Sequence, residues 1–449
     1  MTHSSSNEHE KEDDRRASDD MMDRDDQNAK EEQDVSKDAP PVNPWDPSQF
    51  PDGGFKAWSV VAGGFCSLFC SFGWINCIGI FQQYYQSDYL RGYSSSTISW
   101  IASLELFILF AGGLVVGRVY DRYGPRYILL FGTFMHVFGL MMASLSTEYY
   151  QILLSQGICS PIGISCLFTP AVNCIATWFR KKRGLANGIV AAGSSLGGVI
   201  FPIMFDRLIP RVGFPWAMRI GAFLILFLLI IANLTVVSRI PPMPKPITAK
   251  QYLAPFQERT YLLTTIAAMI FVLGLFLPIN YIQAQAVEFG MDPSLANYLI
   301  PILNAASLFG RTVPGFVADK IGPYNVHTFM CFFSSVVAFA LWLPAASNAP
   351  IIVFAALYGF GSGAFVAILP TLIAQISDIK EIGLRIGMEF GVLSLPALVS
   401  NPIGGAFVAH DNGGYRSCQI WTGCITMLGA ILFVVARISL GGPSLMKKV

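Results

Sequence analysis

A charge at the centre of a bilayer costs about 2.5 to 3.5 kcal/mol even on the lenient insertion scale, and Glu105, Arg311 and Glu389 stand in apolar runs long enough to impose that cost. The guanidinium of Arg311, between Gly310 and Thr312, presents a planar fork of donors that fits a carboxylate; its structural alternative is a snorkelling or ion-paired arginine. Glu105 and Glu389 are able to balance that guanidinium or, stripped of water, to carry a proton. Each serves equally as a helix–helix hydrogen-bonding group. Glu389 lies only four residues past Arg385, which also allows an interfacial ion pair. His136 is the one histidine deep in an apolar run: a candidate proton relay, although a lone histidine more often packs as a hydrogen-bond donor.

Other chemistry finds no footing. No paired carboxylates, nucleophile elbow or histidine cluster occurs, so no enzyme is expected. Gly359, Gly361 and Gly363 follow no strand and read as close-packing helix glycines rather than a phosphate loop, so neither ATP nor another cofactor is expected; a coupled proton is the one co-substrate these residues allow. The nine cysteines fall almost entirely in apolar runs without CxxC or Cys/His ligand spacing and read as small buried hydrophobes. Aromatics such as Trp74, Tyr281, Tyr298 and Phe360 are candidates to line a pocket.

The elements that position these residues are membrane helices. The 449 residues are 53% hydrophobic and 13% charged, about half the charged share of soluble domains. A spanning helix takes about 20 apolar residues to cross about 30 Å of hydrocarbon, because every backbone group must be satisfied within it. Such runs lie near 57–82, 98–117, 127–147, 150–178, 184–205, 217–238, 261–283, 296–317, 326–344, 350–376, 385–408 and 419–439. The stretch 321–377 holds no Asp, Glu, Lys or Arg and as one helix would be about 85 Å long. It must fold back, and 343–350 holds its only dense turn chemistry.

Charge sets the orientation and the boundaries. Beyond position 40, 17 Lys and Arg residues fall in one alternate set of loops and the C-terminal end, against 5 in the opposite set. Positive loops stay in the cytoplasm, so both termini are expected there. Residues 1–40 carry 14 of the 29 acidic and 6 of the 30 basic residues; with the prolines that follow, they read as a disordered acidic tail without a secretory signal. The expected divisions are a tail 1–55, a six-helix bundle 56–238, a Pro-rich cytoplasmic linker 239–260, a second bundle 261–440 and a short tail 441–449. The near-neutral charge of +1 gives no reason to expect nucleic acid; the expected partners are a small solute and the lipid bilayer, with a single chain as the working unit.

The two halves repeat. Gly117, Asp121, Arg122, Gly124 and Pro125 recur as Gly315, Asp319, Lys320, Gly322 and Pro323 at an offset of 198, and Gly184 and Gly188 recur as Gly383 and Gly387 at 199. Glycines permit close helix approach, and Asp121 is able to accept hydrogen bonds from a neighbouring helix N-terminus and to pair with Arg122, Arg126 or Arg180.

The pattern running from Gly117 through Asp121 and Arg122 to Arg126 resembles the signature loop of the major facilitator superfamily. That resemblance implies an all-α membrane protein with twelve transmembrane helices in two pseudo-symmetric six-helix bundles. It also implies a cytoplasmic latch during alternating access, with Asp121, Arg122, Arg126, Asp319 and Lys320 as its candidate members. Two segments, Asp52-Gly53-Gly54-Phe55 leading to Trp58 and the run from Trp178 to Gly193, are similar to the monocarboxylate transporter branch, in its fungal style. The branch implies Arg311 as the substrate-binding arginine. It also implies a substrate lysine in the first span and a proton-accepting aspartate one turn before the arginine, where this chain has Asn76 and Ser307. Neither titrates near neutral pH, which puts proton coupling by that route in doubt and leaves Glu105, Glu389 or His136 to carry it. Arg311, Asn76, Ser307 and Asn304 are thus the substrate-contact candidates.

The expected function is secondary or facilitative transport of a small organic acid or related metabolite by alternating access, at the plasma membrane or alternatively the vacuolar membrane. The rivals are export of a larger fungal metabolite and a solute sensor that kept the carrier fold; the short tail argues against the sensor.

Overall fold

The computed structural model describes residues 50–242, 249–345, 347–444 and 447–449. Most of the expected acidic tail, 1–49, lies outside the described residues, as does 243–248 of the linker.

Helices occupy each expected span, and no strand occurs among the described residues. They are α1 (Phe55–Gln82), α2 (Thr97–Tyr123), α3 (Arg126–Ala143), α4 (Tyr149–Trp178) and α5 (Arg183–Thr235) in the first half. A short α6 (Ala249–Gln257) follows. The second half holds α7 (Arg259–Glu288), α8 (Leu299–Ile321), α9 (Pro323–Trp342), α10 (Asn348–Gln375), α11 (Ile379–His410) and α12 (Arg416–Gly441). Ten helices among the described residues are long and apolar enough to cross a membrane. The 53-residue α5 is broken at Gly213, whose φ of 78° lies in the left-handed region, so its two arms cover the fifth and sixth expected spans. The fold-back expected at 343–350 falls between the end of α9 and the start of α10. Within the described part of the expected linker 239–260, α6 forms, and Glu258 beyond it receives a hydrogen bond from Arg385 at 2.8 Å.

The outer surface carries large apolar side chains such as Phe131, Phe134, Phe223, Phe227, Phe309 and Phe329, each more than half exposed, as suits a surface facing lipid. Inside, α1 is interrupted at Ser71 and again at Asn76, and α7 at Phe276 ahead of Pro278. Irregular backbone is tolerated at membrane depth only where it is buried in protein or lines a cavity, and Asn76 and Phe276 both line the cavity described below.

The halves meet along two glycine seams. Gly113 and Gly117 of α2 face Gly387 and Gly383 of α11, and Gly184 of α5 faces Gly315 of α8; a β-carbon on Gly117 or Gly184 would overlap the partner's carbonyl oxygen. Eight of the nine cysteines are buried or half-buried as expected, but Cys424 on α12 is exposed.

Candidate functional site

A cavity of about 760 Å³ lies between the halves. Its walls run from Phe72 of α1 and Arg311 of α8, mid-helix, to Gln82, Gln283 and Asn401 near the helix ends remote from the basic loops. Arg311 is the only charged residue among those lining it, and the expected contacts Asn76, Ser307 and Asn304 line it too. Sequence reasoning missed its amide-rich far wall. There the Asn280 amide donates to the Asn401 side chain and the Tyr281 hydroxyl donates to the Asn401 carbonyl at 2.9 Å.

Arg311 is 4% exposed and spans the two halves. Nε donates to Ser307 Oγ at 3.2 Å on its own helix, while Nη1 donates to Ala191 O at 2.8 Å and to Ser194 Oγ, both on α5. The guanidinium also lies 5.9 Å from the centroid of Phe72. No carboxylate pairs with it among the described residues, so of the two ways to balance it, a glutamate or the substrate, the glutamate pair is not formed. The 198-residue offset carries Gly113 onto position 311: where one seam has a glycine, the other has the cation. Its α5 partners were illegible in the sequence because they lie about 120 positions away.

The proton-coupling candidates all sit outside the cavity wall. Glu105, fully buried, accepts from Trp74 Nε1 at 3.0 Å. Glu389 accepts from Thr265 Oγ1. One oxygen of each carboxylate lacks a partner. Arg385 pairs with Glu258 rather than with Glu389. His136 is satisfied on both ring nitrogens, by Ser160 Oγ at 2.9 Å and Cys70 O at 3.1 Å. It is also not the only deeply placed histidine: His327 is equally buried, with neither ring nitrogen partnered. Of the aromatic candidates only Tyr281 lines the cavity; Trp74 is spent on Glu105, and Phe360 packs on Phe333 at 6.3 Å.

The basic face is shut by two carboxylates. The amides of Gly383 and Leu384, opening α11, donate to Asp121 at 3.0 and 2.7 Å. The amides of Gly184 and Leu185, opening α5, donate to Asp319 at 2.7 and 2.9 Å. Each aspartate thus caps a helix of the opposite half, satisfying orphan donors at the positive end of its dipole. The expected ion pairs are absent: Asp121 enters none among the described residues. Arg122 lies over the Tyr123 ring at 5.2 Å and Lys320 over Phe316 at 4.3 Å. Arg126 is exposed and enters no ion pair among the described residues.

Two helical halves, shut against each other on one face and parted by a cavity toward the other, define a membrane carrier with a centrally placed solute site. Residues 63–350 and 262–444 match the Major Facilitator Superfamily, and the chain belongs to that superfamily: it is a multi-pass transporter. It is 53% identical over 404 residues to the MFS transporter asaE of Aspergillus flavus, covering 90% of this chain and 91% of that one. It is 48% identical over 388 residues to the Fujikurins efflux protein of Gibberella fujikuroi, covering 86% and 83%. Among solved structures, the human organic anion transporter MFSD10 (TETRAN) shares the fold with a TM-score of 0.68 at 15% identity, over 84% of this chain and 98% of that one.

Proposed function

We propose that this protein exports an organic metabolite of a fungal cell, and that the metabolite carries an anionic or electron-rich oxygen that docks on Arg311. The observation that carries the proposal is the cavity: about 760 Å³ with one cation and no acid on its walls. Pockets of about 300 to 1,000 Å³ suit drug-sized ligands, so the space exceeds the needs of a short monocarboxylate. Efflux is supported by the Fujikurins and Aspyridones efflux proteins, relatives at 48% and 41% identity. The monocarboxylate-type features then describe the scaffold, with the lysine and aspartate of that branch replaced to accept a larger cargo. With the basic face in the cytoplasm, the cavity opens outward, the posture from which an exporter releases. Twelve spans, cytoplasmic termini, a single chain as the working unit and the plasma membrane complete the reading; no cofactor is required.

The test is a panel of labelled metabolites offered to inside-out vesicles containing the reconstituted protein. Arg311→Gln is expected to weaken binding of the transported solute by about 1.5 to 3 kcal/mol through loss of a charge-assisted contact, and Arg311→Lys to restore only part of it because the fork is lost. Unchanged binding and transport by Arg311→Gln would show that the cargo is neutral and docks elsewhere in the cavity.

A further inference from the structure

The segment just ahead of α1 takes no part in the cavity, yet it grips the place where the second latch is built. A single oxygen of Asp52 accepts from three consecutive amides of the α4–α5 turn: Arg180 at 2.7 Å, Lys181 at 2.6 Å and Lys182 at 3.3 Å. Asp52 reaches this position with a φ of 48°, a conformation that costs a residue with a β-carbon and persists only where its surroundings hold it. Its own amide donates to Trp178 O at 3.3 Å, Trp58 packs edge-on to Phe179 at 5.2 Å, and Arg239, at the start of the linker, lies 5.0 Å from the Phe50 ring. Two residues beyond the clamped amides, Gly184 and Leu185 present theirs to Asp319 of the other half.

The pseudo-symmetric turn is built differently. Ahead of Gly383 and Leu384, which hold Asp121, the turn is shaped from within: Asp378 accepts from the Lys380 amide at 3.0 Å. One latch therefore has a local organiser, and the other has one reaching in from about 130 positions away.

We propose that Asp52 is a positioning residue of the transport cycle: by fixing the α4–α5 turn it aims the Gly184 and Leu185 amides at Asp319, and so sets how readily the basic face opens. Among the described residues the hydrogen bonds of Asp52 all go to the first half; it acts through the turn. Opening the basic face parts both seams, so loosening this turn must release the Asp121 latch as well. The inference needs no knowledge of the cargo, and its failure would leave the export reading untouched.

Hydrogen–deuterium exchange on the full chain in lipid nanodiscs tests it. In Asp52→Ala, exchange is expected to rise at 180–185 and also, by about fivefold or more, at the Gly383 and Leu384 amides. Asp52→Asn, which keeps a neutral acceptor of the same shape, is expected to move both sites in the same direction by less, and it is the variant to read if the alanine form does not fold. In an Asp319→Asn background, Asp52→Ala is expected to add nothing further at Gly383 and Leu384, because the latch it organises is already gone. Exchange that rises at 180–182 alone, or effects of the two substitutions that add in full, would overturn the proposal and leave Asp52 a local cap.

Discussion

Arg311 holds three neutral partners and leaves its charge unpaired among the described residues, and this bears on how cargo and cycle are linked. Its bonds to Ala191 and Ser194 cross from α8 to α5, so an anion that takes the guanidinium must compete with contacts that hold the halves together. Glu105 and Glu389 are left outside this exchange, each with one unpartnered oxygen and no ion pair among the described residues. If a proton drives the cycle, these two acids are candidate sites for it, along with the unpartnered ring of His327. Replacing the responsible one by Gln is expected to abolish the response of transport to an imposed pH gradient while solute exchange continues. A full response in both Gln variants would remove the glutamates as carriers. At this scale the sequence disclosed which residues were costly but not their partners: burial cost is a property of one position, whereas Trp74 for Glu105 and α5 for Arg311 depend on helix packing.

At the scale of elements, the repeated glycines and aspartates work as matched pairs. An N-terminal helix end offers unsatisfied amides and a partial positive charge, and each aspartate supplies both oxygens to one in the opposite half. The 198-residue repeat made this legible in outline, and the expected acceptance from a helix N-terminus is what Asp121 does. The arginines expected to pair with it are exposed, and each oxygen of the carboxylate takes a backbone amide instead. Close approach is the condition for such capping. A β-carbon at Gly383 would meet the Asp121 carboxylate and Gly117 O, so Gly383→Ala is expected to destabilise the shut basic face by about 1 to 3 kcal/mol, whereas Gly92→Ala meets open space. The distance between spin labels at Arg122 and Lys380, both exposed on that face, should lengthen in the first variant and stay put in the second. An unchanged distance in Gly383→Ala would mean that the seam tolerates the methyl and does not control closure.

At the scale of the whole molecule, the two halves share one plan and are made unequal at a few positions. Position 113 is glycine and its counterpart 311 is arginine; one latch turn is organised by Asp378 and the other by Asp52. The apolar helices and the repeat were readable because hydrophobic length and charge are summed over many residues, and single departures from a pattern do not disturb the sum. The asymmetries were unreadable for the converse reason: each depends on one side chain and a distant backbone. They also divide the N-terminal region into parts with different expected importance. Residues 50–58 are bound to the α4–α5 turn and the start of the linker, whereas residues 1–40, at 14 acidic and 6 basic, have a composition unable to build a core. Deleting residues 1–45 is therefore expected to leave insertion, thermal stability in lipid and transport close to those of the full chain, since Asp52 and its neighbours remain. A truncated protein that inserts and stays monodisperse yet no longer moves solute would show that the acidic stretch takes part in the cycle, and its charge, about −8 over those 40 residues, would point to the basic loops of the latch face as the surface it acts on.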